Sequence, residues 1–120
     1  MSFPTVPVLH DPASVQLEDR GVKPTTLAGA PREALAVLHR DTDAGVEVGI
    51  WECTPGTFSK DAADYDEVCH ILSGRSTLRS SDGEETELEA GSVVAIPCGW
   101  RGTWTVSETT RKAYTIVSRH

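Results

Sequence analysis

The sequence has no long apolar run. No stretch approaches the ~18 consecutive apolar residues of a helical membrane span, so no membrane association is expected. Positive charge is also scarce: 11 Lys and Arg stand against 18 Asp and Glu, a formal net charge of −7. The basic residues are scattered, and an acidic chain without a basic patch repels a phosphate backbone, which argues against a nucleic-acid partner. Cysteine is limited to 3 residues, Cys53, Cys69 and Cys98, an odd number with neither C-x-x-C nor zinc-finger spacing. Reduced thiols inside a cytosolic protein are therefore expected. The opening MSFPTVPVLH lacks a basic segment and holds two prolines, unlike a secretory leader. A cytoplasmic location is the resulting expectation.

What is present is a regular succession of short strands and turns. The 120 residues suit a single domain with one core. Residues 1–30 carry Pro4, Pro7, Pro12 and Pro24 with little periodicity. They read as an extended N-terminal arm with short edge strands, where proline is tolerated, and with one helical turn from Asp11 to Gln16. Residues 31–120 read as the folded domain. Arg32 to His39 has helical propensity, yet the hairpin signal Asp41-Thr42-Asp43-Ala44-Gly45 favours a strand. Val46, Val48 and Ile50 then alternate with Glu47, Gly49 and Trp51. Thr54-Pro55-Gly56 ends that strand, and a polar loop is expected before the next one, Glu67 to Leu72, which closes at Ser73-Gly74. Further strands are expected at 75–80, 86–88, 92–96, 103–106 and 113–117. Between them lie turns at Asp82-Gly83, Ala90-Gly91, Pro97 to Gly102 and Ser107 to Arg111. Turn signals every eight to twelve residues point to an all-β sandwich or barrel.

Two stretches carry a more specific signal. In the first, six residues separate Glu67 from Gly74; in the second, five residues separate Gly91 from Pro97 and one separates Pro97 from Gly99. Around them stand W-x-C-T-P-G from Trp51, D-E-V-C from Asp66, P-x-G-W-x-G-x-W from Pro97 and R-K-x-Y from Arg111. These stretches resemble the two motifs of the cupins. The set is similar to the branch typified by the cupin domains of ureidoglycine aminohydrolase. The resemblance spans roughly residues 35 to 117. It implies a single cupin barrel, a double-stranded β-helix of jelly-roll type, preceded by the arm.

The resemblance also implies where a site would lie. Metal-dependent cupins hold their ion with two histidines and a glutamate from the first motif and a third histidine from the second. Here the histidine-pair region reads Lys60, Asp61, Ala62, Ala63, Asp64, and the second-motif position is Gly102. Only Glu67 remains, so no metal cofactor is expected, although Asp64 would offer a divalent ion one more carboxylate. Alternate strand residues share a face. If Glu67 points into the barrel, Cys69 and Ile71 do too, and His70 points outward. Trp104 follows Gly102 by two and shares its inward parity. The expected lumen is therefore Trp51, Cys53, Glu67, Cys69 and Trp104, either lining a ligand site or packing a core. Glu67 has two readings. Burial beside indoles would raise its pKa and suit it to act as a catalytic acid or base. Alternatively, hydrogen bonds from Lys60, Arg79 or Tyr65 would make it structural. Cys69 has no inward histidine to activate it as a nucleophile. Trp100 is expected to cap the barrel mouth, and Arg101, Arg111 and Lys112 to be solvated or interface charges.

Three functions are compatible with this pattern. The first is a cupin that binds a small molecule without the usual metal. The second is a metal-assisted enzyme, aminohydrolase-like or other, acting on a small polar nitrogenous or carboxylate substrate. The third is a non-catalytic accessory subunit. A proline-rich arm that cannot form a core alone predicts a homodimer, with outward-facing His70 in the contact. Sedimentation at micromolar concentration is expected to give a dimer; a monomer would contradict this.

Overall fold

The computed structural model describes residues 3–119. These residues form nine β-strands: β1 Glu18–Val22, β2 Thr26–Gly29, β3 Arg32–Asp41, β4 Val46–Cys53, β5 Gly56–Asp61, β6 Tyr65–Ser80, β7 Glu85–Glu89, β8 Val93–Ile96 and β9 Arg101–Ser118. Among the described residues every strand pairing is antiparallel. The described residues include no helix long and apolar enough to cross a membrane. The all-β barrel expected from the turn pattern is the observed architecture.

Two long strands form the spine. β6 and β9 pair from Tyr65↔Ser118 to Ser80↔Gly102. The far end of β9 continues onto β4, from Val46↔Val117 to Cys53↔Thr110, while its beginning pairs β5 from Gly56↔Val106 to Asp61↔Arg101. β6 is shared in the same way, its first half with β8 and its second with β7. The sequence signals at Ser73-Gly74 and at 107–111 suggest a strand end and a turn; the structure places both inside continuous strands. They face each other, and the register shifts between Ile71 and Ser76. A paired bulge bends both strands instead of reversing either. Gly74 permits it with φ of 90°. A Cβ there would lie 2.1 Å from the Thr109 carbonyl oxygen, so only glycine fits.

The expected polar loop after Gly56 is also a strand, β5. Its polar residues Thr57 and Ser59 alternate with Phe58 and Lys60, and Phe58 is buried. β1 and β2 stand at the two ends of the order β1-β3-β4-β9-β5-β2. Because they are consecutive in sequence, residues 23–25 bridge those ends. The Lys23 N–H donates to the Pro31 carbonyl and the Ser59 N–H to the Thr25 carbonyl. Further upstream, the Val15 N–H donates to the Asp11 carbonyl, closing one turn. Arg111 fastens this segment to the barrel. Its Nη1 donates to the carbonyls of Pro12 (3.1 Å) and Val15 (2.8 Å), and its Nε to Glu52 (2.7 Å). Arg111 is thus mostly buried and internally bonded, not the solvated or interface charge its composition suggests.

The core is aromatic at its centre. Trp104 is fully buried. It meets Trp51 edge-on at 5.4 Å and stacks on Phe58 at 6.1 Å between ring centroids. Ile71, Leu78, Leu88, Ile96 and Val106 complete the packing. Trp104→Ala is expected to cost about 3–5 kcal/mol because it empties core volume. Trp104 Nε1 has no hydrogen-bond partner among the described residues, so Trp104→Phe gives up no hydrogen bond. It should cost clearly less than Trp104→Ala in urea unfolding; equal losses would contradict this account.

Candidate functional site

A cavity of about 220 Å³, partly open to solvent, lies within the barrel. Strand alternation and register decide which side chains reach it. On β6 the inward residues include Glu67, Cys69 and Ile71, paired in β9 with Ile116, Tyr114 and Lys112. Lys112 is also opposite Trp51 of β4, and β5 contributes Phe58 and Lys60. Three strands, β5, β6 and β9, thus deliver three charged groups to one place, and β4 adds Trp51.

Glu67 is the centre of that group and is only 2% exposed. Lys60 Nζ donates to its Oε1 at 2.7 Å, and Lys112 Nζ to its Oε2 at 2.7 Å. The Cys69 thiol donates to Oε2 at 3.1 Å. Lys60 also donates to the Tyr65 hydroxyl at 3.2 Å. The Lys112 ammonium lies 4.5 Å from the ring centroids of both Trp51 and Trp104 and 5.9 Å from Tyr114. Burial alone would raise the Glu67 pKa, as the sequence reading expects. The ammonium groups of Lys112 and Lys60 outweigh burial and hold it at about 2. The expected upward shift is therefore reversed, and the carboxylate is ionised at neutral pH. For Lys60, burial lowers the pKa but Glu67 outweighs it, and the net shift is upward.

A second ring of polar contacts lies around the first. Trp51 Nε1 donates to Glu33 Oε1 at 2.9 Å, and Lys23 Nζ approaches the same oxygen at 3.3 Å. The Tyr114 hydroxyl donates to Glu47 Oε2 at 2.7 Å, and Arg40 Nε to Glu47 Oε1 at 2.9 Å. Burial and this acceptor raise the Tyr114 pKa. Lys23 comes from the segment expected to be an arm, yet it lines the cavity.

Of the residues expected in the lumen, Trp51, Glu67 and Trp104 line the cavity; Cys53 and Cys69 do not. Both cysteines are fully buried. Burial raises the Cys53 thiol to about 11. Burial, with Glu67 beside it, raises Cys69 to about 12. Both remain thiols at neutral pH. Trp100 is not at the mouth of this cavity; it lines a separate cleft with Leu78 and Ile96. Arg79 is paired with Glu85 at the surface, so of the three proposed partners Lys60 bonds Glu67 directly and Tyr65 only through Lys60. Arg101 is exposed and pairs with Asp61. His70 is exposed, as its parity implies. Lys112 is the main residue that sequence reasoning missed. It is 5% exposed, not a surface charge, and its alternation with Tyr114 and Ile116 was the available signal.

The residues at the cupin metal position do not fit a metal ion. Each Glu67 oxygen already faces an ammonium at 2.7 Å, and a dication would meet both positive charges. At Gly102 a Cβ would lie 2.0 Å from the Arg79 carbonyl oxygen, leaving no room for a ligating side chain. Asp66 turns away, accepting from the Cys98 N–H and from Arg119. Among the described residues no group of three His, Cys, Asp or Glu converges elsewhere.

Removing the carboxylate charge strands two buried ammonium groups, so Glu67→Gln is expected to cost about 3–5 kcal/mol. The wild-type pH dependence follows from the shift. Glu67 has a lower pKa folded than unfolded, so its contribution is complete above its ordinary value of 4.5 and lost as pH falls towards about 2. That contribution is about 3 kcal/mol. Lys60, shifted upward from 10.5, contributes below that value and loses its contribution at higher pH. Urea unfolding from pH 2 to 8 should show the acid loss in wild type and a much smaller one in Glu67→Gln. Superimposable profiles would contradict the ion-pair account.

Comparison with known proteins agrees with this geometry. The EutQ-like cupin domain family matches residues 40–114. The EutQ protein of Clostridium difficile is similar in structure, with a TM-score of 0.64 and 20% identity over 73% of this chain and 69% of that one. A protein of unknown function from Pseudomonas syringae gives a TM-score of 0.77 and 22% identity, covering 89% of this chain and 46% of that one. A Thermotoga maritima protein is 37% identical with a TM-score of 0.52, over 54% of this chain and 73% of that one. No curated protein matches the sequence. The spacing of Glu67, Gly74, Gly91, Pro97 and Gly99, the closed antiparallel barrel and these likenesses agree: the chain belongs to the EutQ-like cupin domain family.

Proposed function

We propose that this protein is a small-molecule-binding cupin that works without a metal, taking its ligand in the lumen beside the Lys60–Glu67–Lys112 cluster. One observation carries this reading. The carboxylate at the cupin metal position is bound by two lysines, yet about 220 Å³ beside it remains open. That space is lined by buried aromatic rings and by charged groups and is partly open, so a small molecule can reach the cluster. The volume is below the roughly 300–1,000 Å³ of sites for drug-sized ligands, so the ligand is small. Trp51, Phe58 and Trp104 supply apolar walls, and the lysines and tyrosines supply polar contacts. Within this reading Glu67 is an anchor: with its pKa held at about 2, it is a weak proton acceptor, and its work is to fix the two ammonium groups.

Two measurements test the reading. Elemental analysis of purified wild-type protein is expected to give far less than one Mn, Fe, Ni or Zn per chain. Near one per chain, lost in Glu67→Ala, would overturn the metal-free part. Ligand-observed NMR with a small-fragment library should find binders to wild type that are lost in Ile116→Trp, which fills the lumen from its wall. If no fragment's binding depends on Ile116, the lumen is not the site.

A further inference from the structure

We infer that the ligand of this lumen is a small organic monoanion, a carboxylate in its simplest form, received by Lys60 and Lys112 with the Tyr65 hydroxyl. The inference rests on the lumen-binding reading and adds the charge of the ligand to it. It comes from a count of charges. The cavity lining holds Lys23, Lys60, Lys112, Glu33, Glu47 and Glu67. Glu33 is matched by Lys23 at 3.3 Å, and Glu47 by Arg40 at 2.9 Å. At the floor, however, two lysines share Glu67 alone among the described residues. Their side chains are 13% and 7% exposed and that of Glu67 is 2% exposed. The floor therefore carries one excess positive charge, well shielded from water, in a chain whose net charge is −7.

A buried unmatched charge is costly, so such groups are normally paired. A monoanion cancels the excess. A cation would double it, and a dianion would replace it with an excess of the opposite sign. The hydrogen-bond inventory agrees. An ammonium has three donors; Lys60 uses two, on Glu67 and Tyr65, and Lys112 uses one, on Glu67. The Tyr65 hydroxyl accepts from Lys60 and keeps its own proton to donate. Both Glu67 oxygens are occupied. The floor thus offers donors and few free acceptors, as an anion site requires. The indoles and Phe58 suit an organic body on that anion better than a bare halide.

The test uses four probes and two variants of the full-length protein. Acetate, benzoate, benzamide and benzylammonium are titrated in low-chloride buffer, followed by tryptophan fluorescence and calorimetry. At least one carboxylate should bind ten-fold or more tighter than benzamide and benzylammonium. Lys60→Gln leaves Glu67 and Lys112 as a matched pair, so the fold should persist by circular dichroism. It should weaken carboxylate binding at least ten-fold and benzamide binding far less. Should Lys60→Gln not fold, Tyr65→Phe gives the second reading, with a smaller loss confined to the carboxylates. Benzamide or benzylammonium binding as tightly as benzoate, with loss in Ile116→Trp, would overturn the monoanion inference and leave the lumen reading intact. Chloride competing as well as acetate would also overturn it, by showing a halide site. If no probe binds, or Ile116→Trp changes nothing, both readings fail.

Discussion

The structure depends on a carboxylate held between two ammonium groups and largely shielded from water. Removing three charges from solvent is expensive, and the attraction among them offsets that cost only when geometry is good. Here both contacts are 2.7 Å and the Cys69 thiol adds a third hydrogen bond. That arrangement demands register. Glu67 lies on β6, Lys60 on β5 and Lys112 on β9. Sliding any of these strands by one residue would turn its charged group outward. The paired bulge at Gly74 and Glu108–Arg111 sets where the halves of β6 and β9 restart their pairing, and so holds Ile71 opposite Lys112. A glycine needed for a backbone approach thus has a consequence for charges elsewhere in the barrel.

The aromatic residues serve both stability and site. Trp51 and Trp104 pack against each other and offer ring faces to the Lys112 ammonium. A cation over an indole face is attracted by the ring quadrupole, more strongly when desolvated. Lys112 is therefore held by charge on one side and by rings on others. Around it, Glu33 with Lys23 and Glu47 with Arg40 form matched pairs. The resulting lumen has fixed charges, Glu67 between Lys60 and Lys112, at the cupin metal position.

Much of this was legible in the sequence, through spacing and parity. The distance from Glu67 to Gly74 and the Gly-Pro-Gly spacing of the second motif pointed to the barrel. Alternation placed Glu67 and Trp104 inward and His70 outward, as the structure has them. The misses have physical causes. β5 reads as a loop because four of its six residues are polar, the inward-facing Lys60 among them. The turn-forming residues at 73–74 and 107–111 formed a shared bulge, which requires knowing that they face each other. Lys112 reads as a solvated or interface charge because lysine is rarely buried, although Tyr114 and Ile116 on its own face indicate otherwise. The direction of the Glu67 shift required the positions of two lysines 7 and 45 residues away in sequence. Lys23 reaches the cavity only because residues 23–25 bridge the ends of the sheet, a closure no local pattern signals.

The central claim, that Glu67 is an ionised anchor between two lysines, is tested most directly at its own carboxyl carbon. The ¹³Cδ chemical shift of Glu67, assigned by comparison with a glutamate substitution at that position, can be followed from pH 8 downward until the protein unfolds. The account predicts an ionised shift that stays flat through pH 4 and begins to change only as the pH approaches about 2. A midpoint above the ordinary 4.5 of a glutamate would show that burial outweighs the lysines, and would contradict the account.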